Sequence, residues 1–377
     1  MNHYNELSRK IFFEYAKNEK AKNVCISTDC VALGFVALYF GTGGVTRQRL
    51  DNKRFLQFVS IPRTQKSKSS VTGITLLYRE DINALIPQFE TNINKYCSHG
   101  NFLHCRIKSE ESDTYEKRDN LAKKINKYFE VITNGAITQI VDSDIVNLYS
   151  RGPVTFICKT KFTATWDRPF DSTYTDKNGK FFVMSETPKQ VEMMIDNDIE
   201  DILVSSMENE LKVTAIKLPY KKNLGDSYIA IMPNRVATKE DLLKLLSSLD
   251  LSKFLSSFDE EACYHLGIPK YTTETDLLLD DGTPNEGLAN IDILTDFRGA
   301  DFSNMFNDGI PYERLNYYVK TIVTVNEIGT QVEATFDATY YDGEAEGRKI
   351  ELNKPFLYLI VDSKNHISTI GTFMGPE

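Results

Sequence analysis

This sequence is short of the features that mark most functional classes. Its apolar runs stop far below the length of a membrane-crossing helix, so no bilayer span is expected. The opening residues, Met1-Asn2-His3-Tyr4-Asn5-Glu6, hold no basic stretch followed by an apolar one, so no signal peptide is expected. Asn-x-Ser/Thr triplets are absent, which removes N-glycosylation. There are six cysteines, at 25, 30, 97, 105, 158 and 263; a chain of 377 residues is too large to need disulfide staples, and three of the six sit inside apolar patterns. They read as buried, reduced thiols, and the expected compartment is the cytosol, with leaderless secretion left open. Neither GxSxG, HExxH nor CxxC occurs, and five scattered histidines have no ligand spacing. Gly41-Thr42-Gly43-Gly44 has no following GK[ST], so it reads as a helix end and turn, not a phosphate loop. No catalytic constellation, metal or cofactor is expected, and the chain does not read as an enzyme. A net charge of −9 argues against nucleic acid or an anionic membrane as partner.

What is present is a large potential core, with 41% hydrophobic against 26% charged residues. Tyr4, Leu7, Ile11 and Tyr15 make an amphipathic helix. Asn23 to Ser27 reads as a short strand ending at a helix cap, followed by a nearly all-apolar helix from Asp29 to Phe40 and a polar one from Thr46. Residues 60–70 are basic and polar, a solvated loop or an anion patch. Ile74 to Tyr78 and Val154 to Phe162 read as strands, and Ile86 to Cys97 and Leu121 to Ile132 as helices, the second ended by Thr133-Asn134-Gly135. Beyond Trp166 the pattern is mostly strands, broken at Asn178-Gly179, Leu218-Pro219-Tyr220, Pro233-Asn234 and Asp281-Gly282, with one helix from Lys239 to Leu249. Helices early and strands late imply an α+β fold with an antiparallel-rich sheet. With no repeat, low-complexity tract or linker, residues 1–377 read as one domain.

The chain is organised around the stretch from Tyr318 to Phe356. Val319, Thr321, Val323 and Val325 alternate as a half-buried strand, and Pro355 to Val361 forms a second apolar run. Between them, Gln331 to Lys349 is polar, small and turn-prone, long for a loop in a compact domain. Within it Thr330, Val332, Ala334 and Phe336 alternate with Gln331, Glu333, Thr335 and Asp337. A loop with strand alternation is a loop that can become a strand.

Val325-Asn326-Glu327, Gly329-Thr330 and Asn353-Lys354-Pro355-Phe356 resemble the reactive-loop hinge and following strand of the serpin family. The resemblance extends along nearly the whole chain, through Asn23 to Leu50, Ile132 to Gly135, Phe162, Trp166 and Phe170, Val191 to Met194, Leu218 to Tyr220, and Ile229 to Pro233. It implies a single α+β domain with a large central sheet, a second mostly antiparallel sheet set, several N-terminal helices and an exposed reactive loop over 327–352. It further implies a metastable inhibitor, without cofactor and expected to be a monomer. A target protease cuts the loop, whose upstream part then enters the central sheet as an extra strand. The hinge residues are Glu327, Gly329, Thr330, Val332 and Ala334. At the loop base Lys270 and Glu327 are expected to touch beside Trp166, a pair that either holds the loop out or is merely structural.

Three departures from the family pattern stand out. Between Phe58 and Val71 there is too little chain for the family's fourth helix, as in reduced intracellular viral members. Where the central strands part, Ser27 is kept, but Cys30, Cys158 and Val319 stand in place of the usual polar group. That reads as concerted replacement, with Ser27 finding a backbone partner; impaired insertion is the opposite reading. Val332 and Glu333 are bulkier than the usual hinge residues, yet alternation sends Val332, Ala334 and Phe336 inward and Glu333 outward. Counting from either end of the loop puts the residue before the cut at Gly343 or Glu344, and a shorter loop puts it at Asp342. A serine protease is the expected target, with an Asp-specific caspase-like enzyme as the other possibility. A cut after Tyr340 or Tyr341 needs an unusually short loop, and Arg348 lies too near Asn353 to be bait. The competing function is a non-inhibitory member acting as carrier, chaperone or structural partner.

Overall fold

Helical spacing in the first residues does what amphipathicity requires: in α1 (His3–Asn18), Tyr4, Leu7, Ile11 and Tyr15 are all buried. The structure, a computed structural model, describes residues 3–52, 70–96, 100–147, 154–185, 187–197, 199–207, 211–221, 225–279, 300–307, 315–330 and 348–376. β1 (Val24–Ser27) is buried throughout and ends at Ser27, whose hydroxyl accepts from the Cys30 backbone N–H at 3.3 Å and caps α2 (Thr28–Gly41). Almost all of α2 is buried, as its all-round apolarity demands. Gly34 is needed within it, because a Cβ there would lie 2.0 Å from the Tyr317 ring. α3 (Gly44–Asn52), α4 (Pro87–Tyr96), α5 (Tyr115–Ile132) and α6 (Lys239–Ser248) follow along the chain.

Among the described residues a sheet of seven strands forms the centre. Its long strands run in the order β3 (Gly100–Ile107), β2 (Ser70–Arg79), β4 (Val154–Phe162), β13 (Leu315–Val325) and β12 (Tyr271–Leu279). The β2–β4 and β12–β13 pairs are antiparallel, and the β2–β3 and β4–β13 pairs are parallel. Two very short strands, β14 (Gly329–Thr330) and β5 (Ala164–Thr165), complete it beyond the ends of β13 and β4. On one face Cys30, Val31 and Phe35 of α2 share a core with Phe156, Cys158 and Val319; on the other, Ile125 and Phe129 of α5 pack with Leu77 and Ile157.

The second sheet has ten strands among the described residues. Their order is β1, β17 (Ile367–Phe373), β16 (Phe356–Val361), β10 (Ser227–Pro233), β9 (Val213–Pro219), β8 (Ile199–Met207), β11 (Asp259–Pro269), β7 (Lys189–Asp196) and β6 (Asp176–Phe181), and β15 (Arg348–Glu351) pairs in parallel on β11. All its other pairings are antiparallel, so the fold is α+β with the antiparallel bias the strand pattern implies. Trp166 and Val325 share a core with Tyr228, Ile268 and Tyr358 of this sheet.

Some sequence readings need correction. Asn178-Gly179 does not break a strand; it lies inside β6, where the register against β7 shifts. β3 was not anticipated, nor was the single helical turn Leu251–Phe254 just after α6. The loop expected over 327–352 is bounded more tightly, because Gly329–Thr330 and Arg348–Glu351 are both strand-paired. Val332, Ala334, Asp342, Gly343 and Glu344 lie outside the described residues, as do Cys97, Asp281-Gly282 and all but the end of the stretch between Phe58 and Val71, where a helix is expected to be missing.

Candidate functional site

At the end of β13 the chain turns back on itself in four residues. The Asn326 N–H donates to the Gly329 carbonyl at 2.9 Å, and the Asn326 side-chain oxygen accepts from the N–H groups of Ile328 and Gly329. The result is that Val325 pairs with Thr330, and Thr330 in turn with Ala164. β14 is therefore a two-residue strand lodged between β13 on one side and β5 on the other, antiparallel to both. Gly329 fits because it has no side chain: a Cβ would meet the Ala164 carbonyl oxygen at 2.0 Å and the Thr165 Cα at 2.8 Å. Thr330 is fully buried, its hydroxyl 2.7 Å from that of Tyr220.

Trp166 and Lys270 hold this turn from either side. The Trp166 indole N–H donates to the Asn326 carbonyl at 2.9 Å, its backbone N–H donates to Ile328, and its ring stacks on Tyr220 with centroids 4.8 Å apart. Lys270 Nζ lies 3.1 Å from Glu327 and 2.9 Å from Glu192. Burial would raise the Glu327 carboxyl, but its own backbone N–H, the Thr175 hydroxyl and the Lys270 ammonium outweigh it and hold the group below its ordinary range. Burial likewise opposes the Lys270 charge, while Glu192 and Glu327 together raise its pKa. Trp166, Lys270 and Glu327 thus meet, and Tyr220, Thr175, Glu192 and Asn326 join them. Asn326, Tyr220 and Glu192 lie in stretches that carry the family resemblance, but no local pattern assigns them to this turn, and Thr175 lies in none of those stretches.

Below the turn, β4 and β13 are joined directly, from Leu315 opposite Val154 to Ile322 opposite Lys161. The register of the two regions agrees: Val325 and Ala164, on either side of Thr330, stand in the same alignment as Ile322 and Lys161. A strand continuing from β14 would meet both flanking strands without either sliding along its axis.

The N-terminus of α2 lies across this seam. On the β13 side the Ser27 N–H donates to Thr321 Oγ1 at 2.9 Å, and the Tyr317 hydroxyl donates to the Cys30 carbonyl. On the β4 side Cys30 Sγ is 2.9 Å from Thr160 Oγ1 and 2.8 Å from Cys158 Sγ. Thr160 passes the chain on to Thr72 at 2.8 Å. The Ser27 hydroxyl caps α2 on the Cys30 N–H, Cys30 and Cys158 touch, and Val319 pairs with Cys158 across the seam. Thr160 and Thr321 are the polar members that the sequence reading did not include. Among the described residues no group of three or more His, Cys, Asp and Glu could hold a metal ion.

Comparison with known proteins finds chains similar in sequence and in fold. Serine proteinase inhibitor 1 of rabbitpox virus (strain Utrecht) is 25% identical over 97% of this chain and 99% of its own length. Serine proteinase inhibitor 2 of vaccinia virus (strain Western Reserve) is 24% identical over 97% of this chain and 98% of its own. Serpin48, described as a highly specific serpin of the insect Tenebrio molitor, superposes with a TM-score of 0.74 at 20% identity, covering 100% of this chain and 98% of that one. Thyroxine-binding globulin in complex with thyroxine gives 0.71 at 18% identity, covering 100% and 97%. The model of the family described as Serpin (serine protease inhibitor) matches residues 2–376, and the chain therefore belongs to the serpin family.

Proposed function

We propose that this serine protease inhibitor family member works as a suicide substrate whose loop, once cut, enters the central sheet beside β14. The supporting observation is that strand's position. Gly329 and Thr330 already occupy the first two places of a strand between β5 and β13, in a register that carries over to β4 and β13. Continued at period two, that register puts Val332 between Val323 and Phe162, Ala334 between Thr321 and Thr160, and Phe336 between Val319 and Cys158. All six of these flanking residues are buried. Glu333 then falls on the opposite face between Ile322 and Lys161, both partly accessible, where its carboxylate stays hydrated beside an ammonium.

Energetics run the same way. The parallel β4–β13 ladder is given up, and the entering strand forms an antiparallel ladder on each side. Each backbone hydrogen bond nets about 0.5–1.5 kcal/mol, and each large apolar side chain buried adds about 1.5–3 kcal/mol. The target's nucleophile attacks the scissile carbonyl and forms an acyl-enzyme. Entry of the loop before water arrives drags the protease away, and its catalytic groups lose the alignment that deacylation needs. The inhibitor supplies no catalytic group of its own. The cysteine Cys158 and the aliphatic Val319 leave a soft, apolar seat for Phe336, a residue larger than a polar network would admit.

The bond cut follows Asp342, Gly343 or Glu344. The names of the viral relatives support a serine protease as target, while Asp342 suits an Asp-specific enzyme. We place the monomeric protein in the cytosol, where buried thiols stay reduced. The test is incubation with a panel of serine proteases and caspases. A complex that survives denaturing electrophoresis, with a released fragment whose mass fixes the bond, is expected. Cleavage of the loop without any such complex, and without a gain in thermal stability, would overturn the proposal and favour a carrier or binding role.

A further inference from the structure

Insertion needs the β4–β13 seam to widen by about 4.8 Å, one strand spacing. α2 spans that seam, so at least one of the two strands must leave it. On the β13 side α2 is held by the Ser27 N–H bond to Thr321 Oγ1 and by the Tyr317 hydroxyl on the Cys30 carbonyl. On the β4 side the polar contacts all run from Cys30, to Cys158 Sγ and Thr160 Oγ1, beside the apolar packing of α2 on Phe156. Thiols are weak hydrogen-bonding groups, so the polar link to β4 is the weaker of the two. The two sulfurs lie 2.8 Å apart, both fully buried, on two elements that must separate.

We propose that Cys30 and Cys158 form a redox latch: oxidised to a disulfide, they tie β4 to α2 and hold the sheet closed. The inference rests on the insertion reading above. With hydrogen peroxide as the oxidant, one thiolate sulfur attacks a peroxide oxygen. An S–O bond forms, the O–O bond breaks, and the hydroxide released takes a proton and leaves as water. The second sulfur then attacks the sulfenic sulfur. The S–S bond forms, the S–O bond breaks, and a second water leaves with the remaining thiol proton. Two sulfurs are oxidised and one peroxide is reduced. Because both thiols are sealed in the closed sheet, the oxidant reaches them when the seam opens transiently, and the reaction is paced by that opening.

A disulfide holds its two Cβ atoms about 3.5–4.5 Å apart, so it cannot follow a strand-wide movement of β4 away from α2. Entry of the loop would then have to strip β13 from α2 instead, and Phe336 would have to pass beside a rigid link rather than two separable thiols. Cys25 does not compete, since its sulfur is directed at the carbonyls of Thr273 and Thr321.

The experiment compares protein treated with hydrogen peroxide and protein treated with dithiothreitol. Both are nicked in the loop with subtilisin and melted, and unreduced digests are read by mass spectrometry. The expected result is a linked peptide pair carrying Cys30 and Cys158 in the oxidised sample only. That sample loses the stability gain on nicking that the reduced sample shows, and dithiothreitol restores it. In Cys158→Ser protein peroxide has no effect on the gain, and the wild-type redox cycle decides the matter should that variant fold poorly. Absence of the linked peptide overturns the latch, as does a linked protein that gains as much as the reduced one. If the reduced protein gains nothing on nicking, the insertion reading falls and takes the latch with it, whatever the peptide map shows.

Discussion

Gly329 carries the tightest constraint at the loop base. A methyl group there would overlap the Ala164 carbonyl and the Thr165 Cα, both backbone, which cannot swing aside as a flexible side chain can. Gly329→Ala is expected to push β14 out of its place. The variant would be cut as an ordinary substrate, and denaturing gels would show cleaved protein in place of complex. Asp29, in the first turn of α2, gives a second residue-level test. Burial pushes its carboxyl up to about 7; the Tyr4 hydroxyl pulls it back, and Asp362 and Asp226 push it further. In the unfolded chain the group titrates near about 3.9. The folded state therefore holds the proton more tightly, and the stabilisation is complete below about pH 4 and lost as pH rises through about 7. Melting curves from about pH 5 to 8 should show that decline, and Asp29→Asn should flatten it. Glu327 acts with the opposite sign: its lowered pKa adds stability at neutral pH that disappears on acidification. Glu327, Lys270 and Trp166 could be named in advance because the stretch around each is distinctive. Tyr220 and Glu192 also stand in distinctive stretches, but their place at the turn, like that of Thr175, is set only by the fold.

Elements differ in how plainly the sequence announces them. α2 was legible because an apolar run bounded by a Ser cap and a Gly-Thr-Gly-Gly turn has few other solutions. β13 was legible from Val319, Thr321, Val323 and Val325 alternating on one face. β3 was not, because Gly100–Ile107 mixes His, Arg and Cys with its apolar residues and, among the described residues, pairs only with β2. β5 and β14 have no strand signal of their own: the two residues of β14 are a strand only because β13 and β5 pair with them on either side. What could be read was the alternation after Thr330, and the element-scale prediction rests on it. If Phe336 takes the place between Val319 and Cys158, Phe336→Ala should remove up to about 3–5 kcal/mol from the nicked form. Its denaturation midpoint should fall much more than that of the uncut protein. Equal shifts in the two forms would show that Phe336 gains nothing by insertion.

The whole molecule was recognisable from the order of many short segments, each weak alone, while the register match between β14 and the β4–β13 seam needed three strands placed together. On the insertion reading the uncut chain is not in its lowest free-energy state, and nicking with subtilisin should raise its melting temperature even though a bond has been lost. Calorimetry of cut and uncut protein measures this directly, and an unchanged or lower value would mean that the fold stores nothing. The chain contains one tryptophan, and it is Trp166, stacked face to face on Tyr220, with Tyr220 touching Thr330. Its indole emission therefore comes from a single known place beside β14. The unlabelled protein carries its own optical gauge, and on the insertion reading a stopped-flow trace of that one fluorophore would time the loop's first step into the sheet.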